Sequence, residues 1–209
     1  MGTDYLGTRL SYSQGALSDA ACAEDPIALF SQWLKDAHAA GTIEPSAMTL
    51  STVDSSGQPR GRIVLLREFT AEGAVFYTNY ASAKGCELLA NPRAAATFWW
   101  PELERQVRIE GRVTKTTEVE SDRYFNGRPA DSRIASATSP QSKVIPSREY
   151  LEERIAAHHG QPPPRPEHWG GYRLSIEQIE FWQGRPARIH DRLRFRRSGD
   201  GWLCERLAP

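Results

Sequence analysis

Ala47-Met48-Thr49-Leu50-Ser51-Thr52-Val53, then Asp54-Ser55-Ser56-Gly57, then Arg62-Ile63-Val64-Leu65-Leu66-Arg67-Glu68-Phe69 is the stretch that decides the fold class. Its apolar residues recur with a period of two, which is the period of a half-buried strand. The Asp-Ser-Ser-Gly cluster between the runs supplies turn chemistry, so the segment reads as a β-hairpin. Working outward, Ala74–Asn79, Ala94–Trp100 and Gln106–Thr114 read as further strands. In the last of these, Val107, Ile109 and Val113 share one face, and Gln106, Arg108 and Arg112 the other. Four more follow near the end: Gly171–Ile176, Ile179–Trp182, Arg188–Arg196 and Gly201–Leu207, the last two joined across Ser198-Gly199-Asp200-Gly201.

Helices punctuate these strands. Asp25 as N-cap with Pro26 at the first helical position opens one that runs to Gly41, with Ile27, Phe30, Leu34 and Ala37 at helical spacing. Ser82–Ala90 is a short helix closed by Asn91-Pro92, and two more cover Thr117–Phe125 and Arg148–His158. Arg128-Pro129 through Ser142, poor in bulky residues, is a plain connector or a ligand-binding loop. Gln161-Pro162-Pro163-Pro164-Arg165-Pro166 is a stiff linker. About eight short strands joined mainly by turns imply a mainly β protein, an antiparallel barrel with flanking helices, rather than a doubly wound parallel sheet. Residues 1–24, small and polar, read as a mobile arm; residues 25–209 read as one domain.

The chain has 209 residues, with 26 basic and 26 acidic side chains and a formal charge of zero, which argues against a nucleic-acid partner. No apolar stretch approaches the roughly 20 residues that span a bilayer, and no secretory signal opens the chain. Cys22, Cys86 and Cys204 are scattered without a paired spacing, so reduced thiols and a cytoplasmic location are expected.

Several residue sets could carry chemistry. Arg188, His190 and Arg192 alternate, so in an extended strand they would project together while Ile189 and Leu193 face a core. Two guanidinium groups and an imidazole suit a multiply anionic ligand. Arg62 and Arg67 bracket an apolar run, but positions five apart face opposite sides of a strand. Tyr77-Thr78 precedes Ser82-Ala83-Lys84-Gly85, where a helix N-terminus beside a lysine is either a phosphate seat or an ordinary cap. Tyr124, Arg128 and Ser132 recur every four residues, although the Gly127-Arg128-Pro129 break makes one continuous helix doubtful. Trp182 beside Phe181 is either core or a wall against a flat aromatic ligand. No metal site is expected; His158 and His159 are adjacent and diverge on a helix.

Taken in order, these strings resemble the pyridoxamine 5′-phosphate oxidases, flavin enzymes of the FMN-binding split-barrel fold. The strings that carry the resemblance are Asp25-Pro26-Ile27, Trp33-Leu34, Glu44-Pro45 through Leu50, Arg62–Leu66, Val75–Asn79, Leu103–Val107, Tyr124-Phe125, Arg128-Pro129, Asp131-Ser132, Gln141-Ser142, Trp169-Gly170-Gly171, Ile179–Gly184, Arg188–Arg192 and Arg206-Leu207-Ala208-Pro209. They cover nearly everything after residue 24.

The resemblance implies a homodimer with FMN at the subunit interface. By matching position, the cofactor residues would be Arg62, Ile63, Val64, Leu65, Leu66, Arg67, Tyr77, Thr78, Lys84, Gln106, Gln141, Ser142, Trp182 and Arg192. The substrate phosphate would fall to Arg67, Tyr124, Arg128 and Ser132, and the reacting end of the substrate to Arg188 and His190 as catalytic residues. The implied reaction is oxidation of pyridoxamine or pyridoxine 5′-phosphate by O2 to pyridoxal 5′-phosphate and H2O2. Two departures stand out: Arg67 where the family commonly has Lys, and Ala83 where it commonly has Arg. Rival readings are a split-barrel oxidase of another aromatic substrate, such as a phenazine precursor, and a non-enzymatic module that binds pyridoxal phosphate or FMN.

Overall fold

The computed structural model describes residues 11–209. They form two compact units. One holds the described residues up to Ala47, Thr97–Ile109 and Glu177–Pro209; the other holds Met48–Ala96 and Glu110–Ile176. Among the described residues there are ten strands: β1 Ala47–Val53, β2 Pro59–Leu65, β3 Glu68–Thr70, β4 Gly73–Asn79, β5 Arg93–Trp100, β6 Arg105–Lys115, β7 Trp169–Leu174, β8 Gln178–Gln183, β9 Asp191–Ser198 and β10 Gly201–Arg206. Five α-helices accompany them: α1 Pro26–Ala39, α2 Ala83–Ala90, α3 Glu118–Asn126, α4 Ala130–Thr138 and α5 Arg148–Ala156. The pairings of β3 with β4, β4 with β7, β6 with β7, β8 with β9 and β9 with β10 are all antiparallel, as the turn-rich sequence implied.

In the first unit, Asp25 caps α1 by accepting from the Ile27 amide at 3.1 Å, with Pro26 at the first helical position. The buried stripe runs through Leu29, Phe30, Trp33 and Ala37. Phe30 packs edge-on to Phe98 at 5.1 Å, and Trp33 to Phe181 at 5.1 Å. Phe181 and Phe195 then meet edge-on across the β8–β9 pair at 5.8 Å. In the second unit, Phe76 of β4 lies opposite Tyr172 of β7 in register, and Phe125 of α3 meets Trp169 edge-on at 5.1 Å. Full burial of one such ring is worth about 1.5–3 kcal/mol, so these aromatic clusters anchor each unit.

Four sequence expectations need correction. Arg128 through Ser142 is not a loop throughout: after Pro129 the chain forms α4. Its small Ser and Ala residues are adequate helix formers that carry little apolar periodicity. The strand expected from Arg188 begins only at Asp191. Pro186–Arg188 is a 3-10 turn, with Ala187 and Arg188 both at positive φ (57° and 62°). Strand alternation therefore fails at Arg188, and Ile189 is 69% exposed rather than in the core, while Leu193 is buried as expected. Arg67 lies past the end of β2, so the opposite-face argument for Arg62 and Arg67 does not apply.

The fourth correction concerns thiols. Cys22 and Cys204 form a disulfide with Cα atoms 5.4 Å apart, and Cys86 is free and exposed. A separation of 182 residues hides that pair from any spacing argument. Of the N-terminal arm, residues 1–10 lie outside the described residues. Within the first unit, the Leu17 amide donates to Asp191 at 3.0 Å, and Arg206 pairs with Asp19 at 2.5 Å beside the disulfide. Among the described residues, no helix is long and apolar enough to cross a membrane.

Candidate active site

The second unit carries a cavity of 530 Å³. It is lined by Arg62, Ile63, Val64 and Leu65 of β2, Arg67, Tyr77 and Thr78 of β4, Ala83 and Lys84 of α2, Tyr124, Arg128, Ser136, Gln141, Ser142 and Trp169. A second cavity of 550 Å³ is lined by Arg67, Glu68, Tyr77, Arg123, Tyr124, Gly127, Arg128, Pro129 and Ser132. The two share Arg67, Tyr77, Tyr124 and Arg128, so they adjoin along a wall of two guanidinium groups and two phenols.

Local sequence explains how the first cavity is built. Ser82 caps α2 by accepting from the Gly85 amide at 3.3 Å, which turns the chain sharply after β4. Gly85 must be glycine there, because a Cβ would lie 2.1 Å from the Tyr80 carbonyl oxygen. The turn buries Lys84, whose Nζ donates to Thr78 Oγ1 at 3.1 Å, Gln141 Oε1 at 3.2 Å and Ser82 Oγ at 3.3 Å. Burial lowers the Lys84 pKa from its ordinary value, the charge of Arg62 lowers it further, and Glu87 opposes both. An ammonium held against desolvation and a like charge is a strong seat for an anion.

Arg62 is fixed from behind. Its Nη2 donates to Glu87 Oε2 at 2.7 Å, and its Nη1 donates to the Leu50 carbonyl at 3.2 Å and to Thr52 Oγ1. The second cavity has its own order. Tyr77 and Tyr124 stack at 3.8 Å with planes 8° apart, and Trp169 lies nearly parallel to both. The Arg128 guanidinium sits 4.9 Å over the Trp169 ring and donates to Ser136 Oγ at 2.7 Å. Burial, then the charge of Arg67, pulls the Arg128 pKa down, with Tyr124 opposing.

Of the residues expected at a site, this unit brings together Arg62, Ile63, Val64, Leu65, Arg67, Tyr77, Thr78, Lys84, Gln141 and Ser142, with Tyr124, Arg128 and Ser132 next door. The break after α3 lets Tyr124, Arg128 and Ser132 converge without one continuous helix. Leu66 is buried instead, at 6% exposure. Gln106, Trp182, Arg188, His190 and Arg192 belong to the first unit. There, His190 and Trp182 rings lie 4.6 Å apart, and Tyr12 packs on both. The Arg185 amide donates to His190 Nδ1 at 3.1 Å. Arg192 pairs with buried Glu180 at 2.9 Å, and Arg188 is exposed.

Sequence reasoning missed Thr52, Glu87, Ser136 and Trp169 as site residues. Each acts by holding another side chain, which no spacing rule reports. Only the phase of α2, which puts Glu87 three residues after Lys84, hinted at one of them.

Fold and cavities together define a mainly antiparallel β protein with paired cationic pockets suited to two phosphorylated or otherwise anionic ligands. The sequence profile of pyridoxamine 5′-phosphate oxidase matches residues 34–161, and that of the pyridoxine 5′-phosphate oxidase C-terminal dimerisation region matches residues 169–209. A pyridoxine/pyridoxamine 5′-phosphate oxidase of Burkholderia vietnamiensis is 53% identical over 99% of this chain and 100% of its own length. The crystal structure of PhzG from Burkholderia lata 383, in complex with tetrahydrophenazine-1-carboxylic acid, superposes with a TM-score of 0.87 at 32% identity, covering 93% of this chain and 98% of that one. A pyridoxamine 5′-phosphate oxidase-related, FMN binding protein of Nostoc punctiforme shares the fold, with a TM-score of 0.73 at 18% identity over 90% of this chain and 100% of that one. The chain belongs to the pyridoxamine 5′-phosphate oxidase family, whose members are oxidoreductases with this split-barrel fold.

Proposed function

We propose that the protein is an FMN-dependent oxidase of pyridoxamine and pyridoxine 5′-phosphates. The alcohol and O2 give pyridoxal 5′-phosphate and H2O2; the amine, O2 and water give the same two products and ammonia. One observation carries this reading. Two adjoining cavities share a wall of Arg67, Tyr77, Tyr124 and Arg128; beyond it Arg62, Thr78 and Lys84 line only the first, and Ser132 and Arg123 only the second, so the wall can serve one anion and the Arg62–Lys84 side another. A mononucleotide flavin and a phosphorylated substrate are the pair of ligands that such a site fits.

FMN is the cofactor, and when bound it supplies the two-electron acceptor that O2 reoxidises. Arg62, Thr78 and Lys84 hold its phosphate, with Gln141 and Ser142 beside them. Ala83 removes one cation, yet Arg62, Arg67, Lys84 and Arg128 all line the cavity. Gln106, Trp182 and Arg192 complete the cofactor site in a homodimer with FMN at the subunit interface, and the match to a dimerisation region over residues 169–209 supports the dimer. Arg67, Tyr124, Arg128 and Ser132 fix the substrate phosphate, which orients the ring; such positioning contributes several kcal/mol, up to about 7–11 in the best cases.

Arg188 and His190 act at C4′. Because His190 Nδ1 accepts from the Arg185 amide, the neutral ring carries its proton on Nε2. It therefore offers the C4′ substituent a hydrogen-bond donor, and Arg188 adds positive charge there. The likeness to PhzG favours a second reading, an oxidase of a phenazine-type substrate. That ligand is a carboxylic acid without a phosphate, which leaves the Arg67–Ser132 cavity without a task. A cytoplasmic location completes the proposal, and there the Cys22–Cys204 pair meets reducing thiols.

The test is anaerobic titration of the FMN-loaded protein with pyridoxamine 5′-phosphate. Stoichiometric bleaching of the flavin, far weaker with pyridoxamine, supports the reading. A flavin that stays oxidised with the phosphate ester, and bleaches with a dihydrophenazine carboxylate, supports the second. No bleaching by either supports a binding module.

A further inference from the structure

We infer that Glu87, together with Thr52, is a positioning residue that holds the Arg62 guanidinium as a two-pronged receptor for the FMN phosphate. The inference rests on the FMN reading above. Glu87 lies on the inner face of α2, and Thr52 on β1; they are 8% and 2% exposed. Neither lines the cavity that Arg62 lines. Thr52 Oγ1 donates to Glu87 Oε2 at 2.5 Å, and the same carboxylate oxygen accepts from Arg62 Nη2 at 2.7 Å.

The donor count gives this arrangement its meaning. A guanidinium has five N–H groups in a rigid fork. Leu50 O and Thr52 Oγ1 take both protons of Nη1, and Glu87 takes one of Nη2. What remains is Nε–H and the second Nη2–H, the edge that meets two phosphate oxygens at once. An arginine side chain loses rotamer freedom on being ordered. Here that ordering is done by the fold before any ligand arrives, which is how preorganisation raises affinity.

The carboxylate also answers an electrostatic difficulty. Buried Lys84 and half-buried Arg62 line one cavity, and the charge of Arg62 disfavours the Lys84 ammonium. Glu87 compensates from the side away from the cavity, so both cations persist without blocking the ligand's place. A carboxylate among the lining residues would repel phosphate; one behind them, bonded to the back of Arg62, does so far less.

The experiment compares FMN with riboflavin, which lacks the phosphate. Dissociation constants are measured by flavin fluorescence quenching on apoprotein of the wild type, Glu87→Ala, Glu87→Gln, Thr52→Val and Arg62→Ala. Glu87→Ala is expected to weaken FMN about tenfold and leave riboflavin unchanged. Glu87→Gln, whose amide oxygen still accepts from Arg62, is expected to recover most of the loss. Thr52→Val, nearly isosteric, carries the same test if Glu87→Ala does not fold. Equal weakening of FMN and riboflavin in these variants, or none, overturns the inference. If neither the wild type nor Arg62→Ala distinguishes FMN from riboflavin, the FMN reading of this cavity fails, and the inference with it.

Discussion

Lys84→Met separates binding from stability. In the wild type Lys84 is 9% exposed, its ammonium donates to three neutral oxygens, and it lines the cavity with Arg62. Its pKa is lowered mainly by burial and then by Arg62, so its charge is a cost to the apoprotein. Methionine has similar length and no charge, and leaves Gln141 Oε1 still accepting from Thr78 Oγ1 at 3.0 Å. Apoprotein stability should therefore hold or rise slightly. A bound phosphate loses a charge-assisted hydrogen bond of about 1.5–3 kcal/mol, so FMN affinity should fall roughly 10- to 150-fold.

The same shift makes binding pH-dependent. For a base whose folded pKa is lowered, the apoprotein binds fewer protons than the unfolded chain between the lowered value and 10.5, so apoprotein stability rises with pH across that window. A bound phosphate favours the ammonium, and FMN affinity should fall as pH climbs through the lowered value. Methionine abolishes that slope. Thermal melts of the apoprotein, with FMN and riboflavin titrations at several alkaline pH values, read all three effects. A variant that binds FMN like the wild type, or loses riboflavin equally, would refute the placement of the phosphate at Lys84.

Three further outcomes are expected. Arg188→Ala and His190→Ala should each slow flavin reduction in anaerobic single turnover by about 10²-fold or more, with bound substrate; an unchanged rate removes them from the reacting end. Ser136→Ala frees Arg128 from its 2.7 Å partner, and should raise the Kd for pyridoxamine 5′-phosphate about two- to tenfold without touching pyridoxamine, as read by spectral titration. Cys204→Ser, or a reductant, removes a crosslink across 182 residues, whose chain-entropy limit is about 5 kcal/mol; chemical denaturation with and without dithiothreitol measures it, and coincident curves count against the disulfide.

Much of the fold was legible because it is local. The period of two in β1, the Asp25–Pro26 helix start and the Ser82 cap are each set by a few neighbouring residues whose sterics and hydrogen bonds act within a turn. The turn at Pro186–Arg188 was not, since positive φ at Ala187 and Arg188 comes from surroundings and not from residues that prefer it. Helix α4 was obscured because its Ser and Ala residues mark neither core nor surface.

The site divides the same way. Side chains proposed to meet a ligand have a chemistry readable from type and order: Lys84 after a cap, Tyr124 with Arg128 and Ser132, Arg188 near His190. Side chains that hold those in place do not. Glu87 behind Arg62, Ser136 against Arg128, Trp169 beneath it and Cys22 on Cys204 are contacts between distant positions. Periodicity and local hydrogen bonding specify strands, caps and the identity of the charges. Which charge is anchored, and which of its N–H groups keep no protein partner, is decided only when packing brings separate strands and helices into hydrogen-bond contact.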